Sequence, residues 1–359
     1  MKDKILDITA LGELLIDFTP AGSGPDGLPL YACNPGGAPA NVAAAAAKQG
    51  GKTAFIGKVG NDAFGRLLAD TLQGCGVCTD GILFDENIPT TLAVVSLDRF
   101  KDRSFQFYRN PGADCMLKPE EVRGELIEQA RVFHFGSLSL THQPAREATE
   151  AALRTAKSAQ TLVSFDPNLR PALWSDLHEA RTRILDFMPY ADIVKVSEEE
   201  LIFLTEQDGQ DGHADLQAKG DGHDRPQSAI ERVPKETEEA AEVSKLQLFM
   251  QKLAAQYRLP CLFVTRGAKG ALFQINGYAG QVPAVSVPVA DTTGAGDAFM
   301  GAALLGLCRH GRLDSLSEQD CISITESACL CGSLTTTKKG GIPALPNRAA
   351  LEQYGSRFS

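Results

Sequence analysis

Asp291-Thr292-Thr293-Gly294-Ala295-Gly296-Asp297-Ala298-Phe299 is the segment of this chain best equipped for chemistry. Gly294 and Gly296 lack side chains, so backbone N–H groups there can approach an anion closely. The turn leads into an Ala-, Leu- and Gly-rich stretch, Gly296–Arg309, that reads as an apolar helix. A helix start adds partial positive charge. Asp297 stands at that start, where it either caps the helix or faces a ligand. An anion-binding helix start beside a carboxylate suits phosphoryl transfer to an alcohol. The amides stabilise charge on the transferring group, and the carboxylate accepts the hydroxyl proton. Neither common nucleotide loop is present. There is no GxxxxGK followed by Ser or Thr, and the third Gly of a GxGxxG pattern is replaced by Phe299.

Three further segments carry polar groups in suggestive places. Asn34-Pro35-Gly36-Gly37-Ala38-Pro39-Ala40-Asn41 fixes a tight backbone ahead of an Ala-rich helical stretch, Ala40–Gln49. Asn41 offers two donors and an acceptor, which fit a pair of sugar hydroxyls or simply cap the helix entry. Asp17, after the first apolar run, either accepts from hydroxyls or faces solvent. Asp166-Pro167-Asn168-Leu169-Arg170 follows a predicted strand, Thr161–Asp166. Ligands of parallel sheets bind at the carboxyl ends of strands, although an Asx-Pro turn also explains this sequence. Glu198-Glu199-Glu200 follows the predicted strand Asp192–Val196. Acids are favourable in a first helical turn, an explanation that suits Glu198 and Glu199 better than Glu200.

The elements that must position these groups alternate. Ile5–Leu11 reads as a buried first strand, continued by Leu14–Phe18, and residues 19–37 as a Pro- and Gly-rich loop. Strands at Lys52–Val59, Arg131–Phe135 and Cys261–Thr265 interleave with helices at Asp62–Leu72, Pro144–Ser158 and Leu246–Tyr257. Hairpin-like segments follow at 271–289, and a last helix around Ile322–Ser333. Such alternation predicts an α/β fold with a mostly parallel sheet covered on both faces. Thr91–Leu97 and Ser104–Arg109 flank a polar turn and predict a separate, half-exposed β-hairpin.

The chain has 359 residues and a net charge of −10. That acidic balance argues against nucleic acid or an anionic membrane as the main partner. No stretch approaches the roughly 18 apolar residues of a membrane span, and the start lacks the pattern of a signal peptide. The nine cysteines are scattered, which predicts free thiols in a reducing, cytoplasmic setting. Cys75 and Cys78 have CxxC spacing, but no second pair stands at zinc-ligand distance, so a structural role is expected. Residues 206–245 hold eleven acids and five bases, most of the excess negative charge. With few apolar anchors, they predict a mobile acidic insertion.

Taken together, these segments resemble the ribokinase-like carbohydrate kinases, and within them the plant- and bacterial-type fructokinases. The resemblance spans nearly the whole chain outside 206–245. It rests on Gly12–Phe18, Gly36–Ala43, Gly57–Gly65, Phe107–Asp114, Phe133–Leu140, Asp166–Trp174, Lys195–Leu201, Asp291–Phe299 and Thr335–Pro346, in register. It implies a single kinase domain over 1–359, with β-lid elements at about 12–33 and 90–112. It also implies ATP-dependent phosphorylation of a sugar, most simply D-fructose to D-fructose 6-phosphate, with Mg²⁺ and a K⁺ ion as cofactors. Other sugars, such as 2-keto-3-deoxygluconate, ribose or a nucleoside, are the nearest alternatives. A non-catalytic scaffold is a remoter one, since Asp297, Gly294 and Gly296 are intact.

Residue by residue, the resemblance implies Asp297 as the base and Gly294, Ala295 and Gly296 as the anion hole. Asp17, Gly37, Asn41 and Arg109 match sugar contacts, and Asn168 and Arg170 the polar groups toward the phosphates. Glu200 matches an acid that organises Mg²⁺ through water. Thr265, Gly267 and Gly270 match the nucleotide-side turn, together with Gly294 and Gly296. Asp291 and Thr293 fall where relatives hold K⁺. The lid implies a homodimer. The sequence departs from the pattern at Ser197, where Asn is usual, and at Arg266, Cys329 and Gly341, where Leu, Asn and Ala are usual.

Overall fold

The computed structural model describes residues 4–97, 103–206 and 235–355. Among these, nine strands form one sheet in the order β13-β12-β11-β10-β9-β8-β1-β4-β5. They are β1 Leu6–Leu11, β4 Thr53–Gly60, β5 Val77–Asp85, β8 Ala130–Gly136, β9 Leu162–Asp166, β10 Ile193–Ser197, β11 Cys261–Thr265, β12 Ala271–Ile275 and β13 Tyr278–Val282. Pairing is parallel from β5 through β11 and antiparallel for β12 and β13. Successive side chains of a strand point to opposite faces. Phe55 and Phe263 accordingly enter one core, and their neighbours Ile56 and Val264 the other. Both faces are therefore covered, as the run of apolar strands predicts.

The first core is built by helices Ala38–Lys48, Ala63–Gly74, Ala295–His310 and Glu318–Thr335, the second by Ala145–Ser158, Leu177–Phe187, Glu198–Thr205 and Lys235–Tyr257. Small residues bring two of these helices into near backbone contact. Ala43, Ala44, Ala45 and Ala46 are fully buried. A Cβ placed on Gly301 would lie 2.6 Å from the Val42 carbonyl oxygen and 2.8 Å from Ala45 Cβ. The Ala-rich helix and the Gly296-containing helix can therefore press together, which brings their N-terminal turns side by side.

A second, four-stranded sheet has the order β3-β2-β6-β7, from β2 Leu15–Ser23, β3 Pro29–Gly36, β6 Leu92–Leu97 and β7 Arg103–Tyr108. The β6–β7 hairpin agrees with expectation. The rest of this sheet corrects it. Leu15–Phe18 does not extend β1. The chain leaves the large sheet at Gly12 and enters the small one. Residues 19–37, expected as loop, supply most of β2 and all of β3. Their prolines disguised them. Pro29 and Pro35 are tolerated because β3 is an edge strand, pairing among the described residues only with β2.

The helix expected to begin at Leu246 begins at Lys235. Its first turns belong to the segment expected as a mobile insertion. Glu, Lys and Ala favour helix there, and Leu246, Met250 and Leu253 anchor it at helical spacing. The remainder of that insertion, 207–234, lies outside the described residues. No helix among the described residues is long and apolar enough to cross a membrane.

Candidate active site

Asp297 is buried at the first turn of the helix Ala295–His310. Its Oδ2 accepts from Asn41 Nδ2 at 2.7 Å, across 256 residues of chain. Its Oδ1 accepts from Asn168 Nδ2 at 3.2 Å. Burial raises its pKa, while Lys195, the Asn41 amide and Arg170 pull it back. Both amides stabilise the ionised carboxylate. Asp297 therefore does not cap its own helix. Gly294 does that position's work with φ +78°, a left-handed conformation that glycine adopts without steric cost. The amides at Gly294, Ala295 and Gly296 form the helix start beside the carboxylate, that of Ala295 donating to Thr292 O at 3.3 Å.

The strand ends around this turn supply the other groups. Asn168 holds φ +43° at the carboxyl end of β9. Lys195 of β10 donates to Asp166 Oδ2 at 2.7 Å, with both side chains almost fully buried. A Cβ on Gly296 would sit 3.1 Å from Lys195 Nζ, so this ammonium lies directly behind the helix start. Burial opposes the charge on Lys195, but Asp166, Glu200 and Asp297 outweigh it and its pKa rises.

Glu200 accepts from Leu169 N at 2.6 Å and from Ser197 N at 2.8 Å. In return, Ser197 Oγ accepts from Glu200 N at 3.1 Å. This is a reciprocal capping box, so Ser197 keeps the capping function expected of an Asn. Glu200 thereby ties the start of its helix to the Asn168 loop. Both carboxylate oxygens already accept backbone hydrogens, and the group is buried, which raises its pKa.

On the lid side, Asp17 of β2 pairs with Asn34 of β3, and its carboxylate reaches along the strand to Gly36. A Cβ on Gly36 would be 2.7 Å from Asp17 Oδ2. Burial pushes Asp17 up to about 7, against the pull of Arg170, with Asp297 and Asp291 adding to the rise. Gly37 holds φ +118°, and a Cβ there would be 2.3 Å from the Glu13 carbonyl oxygen. Arg109 is placed differently from a free sugar-binding arginine. Its Nε and Nη2 bind Asp114 Oδ2 at 2.7 and 2.6 Å. Its Nη1 donates to Thr141 Oγ1 and its Nη2 to Leu138 O. Most of its donors are spent inside the protein.

Asp291 Oδ1 accepts from Thr293 N and Oγ1 at 3.0 and 2.8 Å, and Oδ2 from Gly340 N at 3.1 Å. Thr265 ends β11, and Gly267 and Gly270 shape the turn after it with φ +53° and +91°. These groups stand with Asp297 at the carboxyl side of the sheet, where parallel α/β folds bind ligands.

A family profile described as pfkB family carbohydrate kinase matches residues 6–348. The chain belongs to that family. Fructokinase-1 of Zea mays is 43% identical to this kinase over 351 residues, 96% of each chain. The solved fructokinase of Xylella fastidiosa with bound ATP superposes with a TM-score of 0.80, at 31% identity over 98% of each chain. A fructokinase double mutant of Vibrio cholerae, solved in fructose-, ADP- and potassium-bound form, gives a TM-score of 0.77 at 34% identity over 99% of each chain.

In this kinase the fold joins Asp297, Asn41 and Asn168 directly, and Arg170 acts on both Asp297 and Asp17 through its charge. Sequence reasoning gave no role to two buried charged groups, Lys195 and Glu13, and placed Asp166 in a candidate ligand-binding segment without naming its partner. A charged residue inside an apolar strand, as Lys195 is in Ile-Val-Lys-Val, was the available signal. Glu13 accepts from Ala38 N at 2.7 Å and so fixes the backbone just past Gly37.

Proposed function

We propose that this kinase transfers the γ-phosphoryl group of ATP to the 6-hydroxyl of D-fructose. Fructokinases about as long as this chain, and up to 43% identical to it, support the sugar and the nucleotide. The observation that carries the mechanism is the buried Asp297 carboxylate, held by two amides beside a helix start.

In this mechanism Asp297 takes the hydroxyl proton. The sugar oxygen forms the new bond to the γ-phosphorus, and the bond to the bridging oxygen of ADP breaks. The backbone amides at Gly294, Ala295 and Gly296 hold the charge that develops, with Lys195 adding its field from behind. Asp17 and Asn41 orient the sugar. Asn41 Oδ1 is buried without a partner among the described residues, and in this role it accepts from a sugar hydroxyl. The small sheet covers the sugar and excludes water, which would otherwise compete for the phosphoryl group.

When bound with ATP, Mg²⁺ would supply positive charge against the phosphates. The residues present fit that group at one remove. Glu200 is occupied by two backbone donors and is suited to orient water rather than to ligate directly. Among the described residues no group of three His, Cys, Asp or Glu side chains is arranged to hold a metal. For K⁺, Asp291 and Thr293 supply oxygen atoms of the right hardness.

The nine unpaired thiols favour a reducing, cytoplasmic setting. The deciding experiment is an ADP-release assay across a panel of sugars. The expected result is the highest kcat/KM with fructose. A strong preference for 2-keto-3-deoxygluconate, ribose or a nucleoside would replace fructose as substrate. ATP binding without turnover on any sugar would overturn the enzymatic reading.

A further inference from the structure

A charge network beside the turn after β11 takes no part in the transfer chemistry. Arg266 is the residue between Thr265 and Gly267, and its side chain is fully buried. Its Nε donates to Glu198 Oε2 at 3.1 Å, and its Nη2 to Glu242 Oε2 at 3.0 Å. The same Glu242 oxygen accepts from Lys269 Nζ at 2.6 Å. A buried guanidinium is costly unless carboxylates pair with it. One side chain thus binds three elements: the start of the helix Glu198–Thr205, the turn 266–270, and the helix Lys235–Tyr257.

The turn itself is closed by backbone bonds, Lys269 N to Arg266 O at 3.0 Å and Gly270 N to Gly267 O at 3.1 Å. Gly267 and Gly270 both adopt positive φ. The Arg266 N–H donates to the Gly270 carbonyl at 2.8 Å and closes the loop. A Cβ on Gly267 would meet nothing within 4 Å, whereas one on Gly270 would lie 2.0 Å from the Val282 carbonyl oxygen, so the turn presents bare backbone to open space at Gly267. Backbone of this kind can line a nucleotide site only if its position is fixed from behind. Arg266 and Lys269 are the side chains that could fix it, and Glu242 engages both.

We propose that Glu242, on the helix Lys235–Tyr257, is a positioning residue for the nucleotide. It acts through Arg266 and Lys269 and does not touch the nucleotide, whose phosphates its own negative charge would repel. This inference rests on the assignment of Thr265, Gly267 and Gly270 to the nucleotide side.

The test compares two variants of the full chain. Glu242→Gln keeps the shape of the side chain and removes its charge. The expected result is a rise in KM for ATP of about 3- to 10-fold, the scale of a partly exposed ion-pair network. The kcat and the KM for sugar should stay within about twofold, and Glu242→Asp should recover part of the ATP affinity. Gly267→Asn tests the underlying assignment, because Asn tolerates left-handed φ while its side chain projects over the turn. A raised KM for ATP in both variants supports the proposal. If only Gly267→Asn raises it, the turn is at the nucleotide and the role of Glu242 is overturned. If Gly267→Asn leaves ATP unaffected, the nucleotide assignment fails and the proposal falls with it. A parallel fall in kcat and rise in both KM values in Glu242→Gln would reduce Glu242 to a general structural role and also overturn the proposal.

Discussion

Asp297 must be ionised to accept a proton, yet it is buried where charge is disfavoured. The two amides from Asn41 and Asn168 and the nearby cations reconcile these demands. Asp297→Asn removes the base while preserving size and one of the two accepted hydrogen bonds. Turnover should fall by ~10²-fold or more with ATP binding retained, the scale of general-base loss. Single-turnover rates together with ATP titration would check this, and near-normal turnover would exclude Asp297 as the base. Glu13 offers a test at a distance from the chemistry. Burial pushes its pKa from 4.5 up to about 7, with Asp114 adding to the rise and the Ala38 N–H and Arg109 opposing it. A group whose pKa is higher in the folded state stabilises below its unfolded pKa and loses that stability as pH rises through the folded one. For Glu13 the loss falls between about pH 4.5 and 7. Glu13→Gln removes the titration. Its stability relative to the unsubstituted protein should therefore improve from pH 5 to pH 8, by up to about 3 kcal/mol. Denaturant titrations at the two pH values would measure it; an unchanged difference would mean that Glu13 does not titrate in this window.

At the scale of elements, the site depends on backbone that only glycine can form, and two glycines should respond differently. Gly37 holds φ +118°, and an added Cβ would be 2.3 Å from the Glu13 carbonyl oxygen, a backbone atom that cannot swing away. Gly37→Ala should cost more than about 2 kcal/mol. Gly294 has a positive φ as well, but its added Cβ would meet Gly341 Cα at 3.4 Å and Asn41 Nδ2 at 3.7 Å, ordinary contacts. Gly294→Ala should cost only about 1 kcal/mol of stability while lowering kcat, because the methyl group crowds the Asn41 amide. Urea midpoints paired with kcat would separate the two; equal stability losses would contradict this account. The Ala-rich helix and the apolar strands were legible from small-residue and apolar runs. The β2–β3 hairpin was not, since Pro29 and Pro35 signal a break unless the strand is known to be an edge.

For the whole molecule, the small sheet is the surface that most needs covering. Leu28, Leu30, Tyr31 and Tyr108 are exposed on it or at its turn, an apolar grouping of the sort that marks interaction sites. We propose that two copies meet there. The mass in solution should be that of a dimer, and Leu30→Glu with Tyr31→Glu should shift it toward a monomer. A monomeric mass for the unsubstituted chain would reject the interface. The acidic balance also changes meaning at this scale. Of the net −10, −6 belongs to residues 206–245. Part of that segment is helix, and Glu242 in it engages Arg266 and Lys269.

Composition, periodicity and motif order by themselves determined the alternating α/β architecture, the apolar strands, the helix start at Gly294–Asp297 and the resemblance that carried the sugar-kinase chemistry. Local spacing is enough for these, because helices and strands have fixed periods and an anion-binding turn is contiguous in sequence. The tertiary structure decided which groups meet. Asn41 reaches Asp297 only because buried alanines and Gly301 let two distant helices touch. Lys195 became part of the site only because β9 and β10 lie side by side, and Arg109 was drawn inward because Asp114 satisfied its buried charge. Glu242, in a segment that reads as a solvated appendage, reaches the turn beside Thr265 because a fully buried arginine needs a second carboxylate. Pairings of this kind follow from desolvation and packing across the fold, which sequence spacing does not encode.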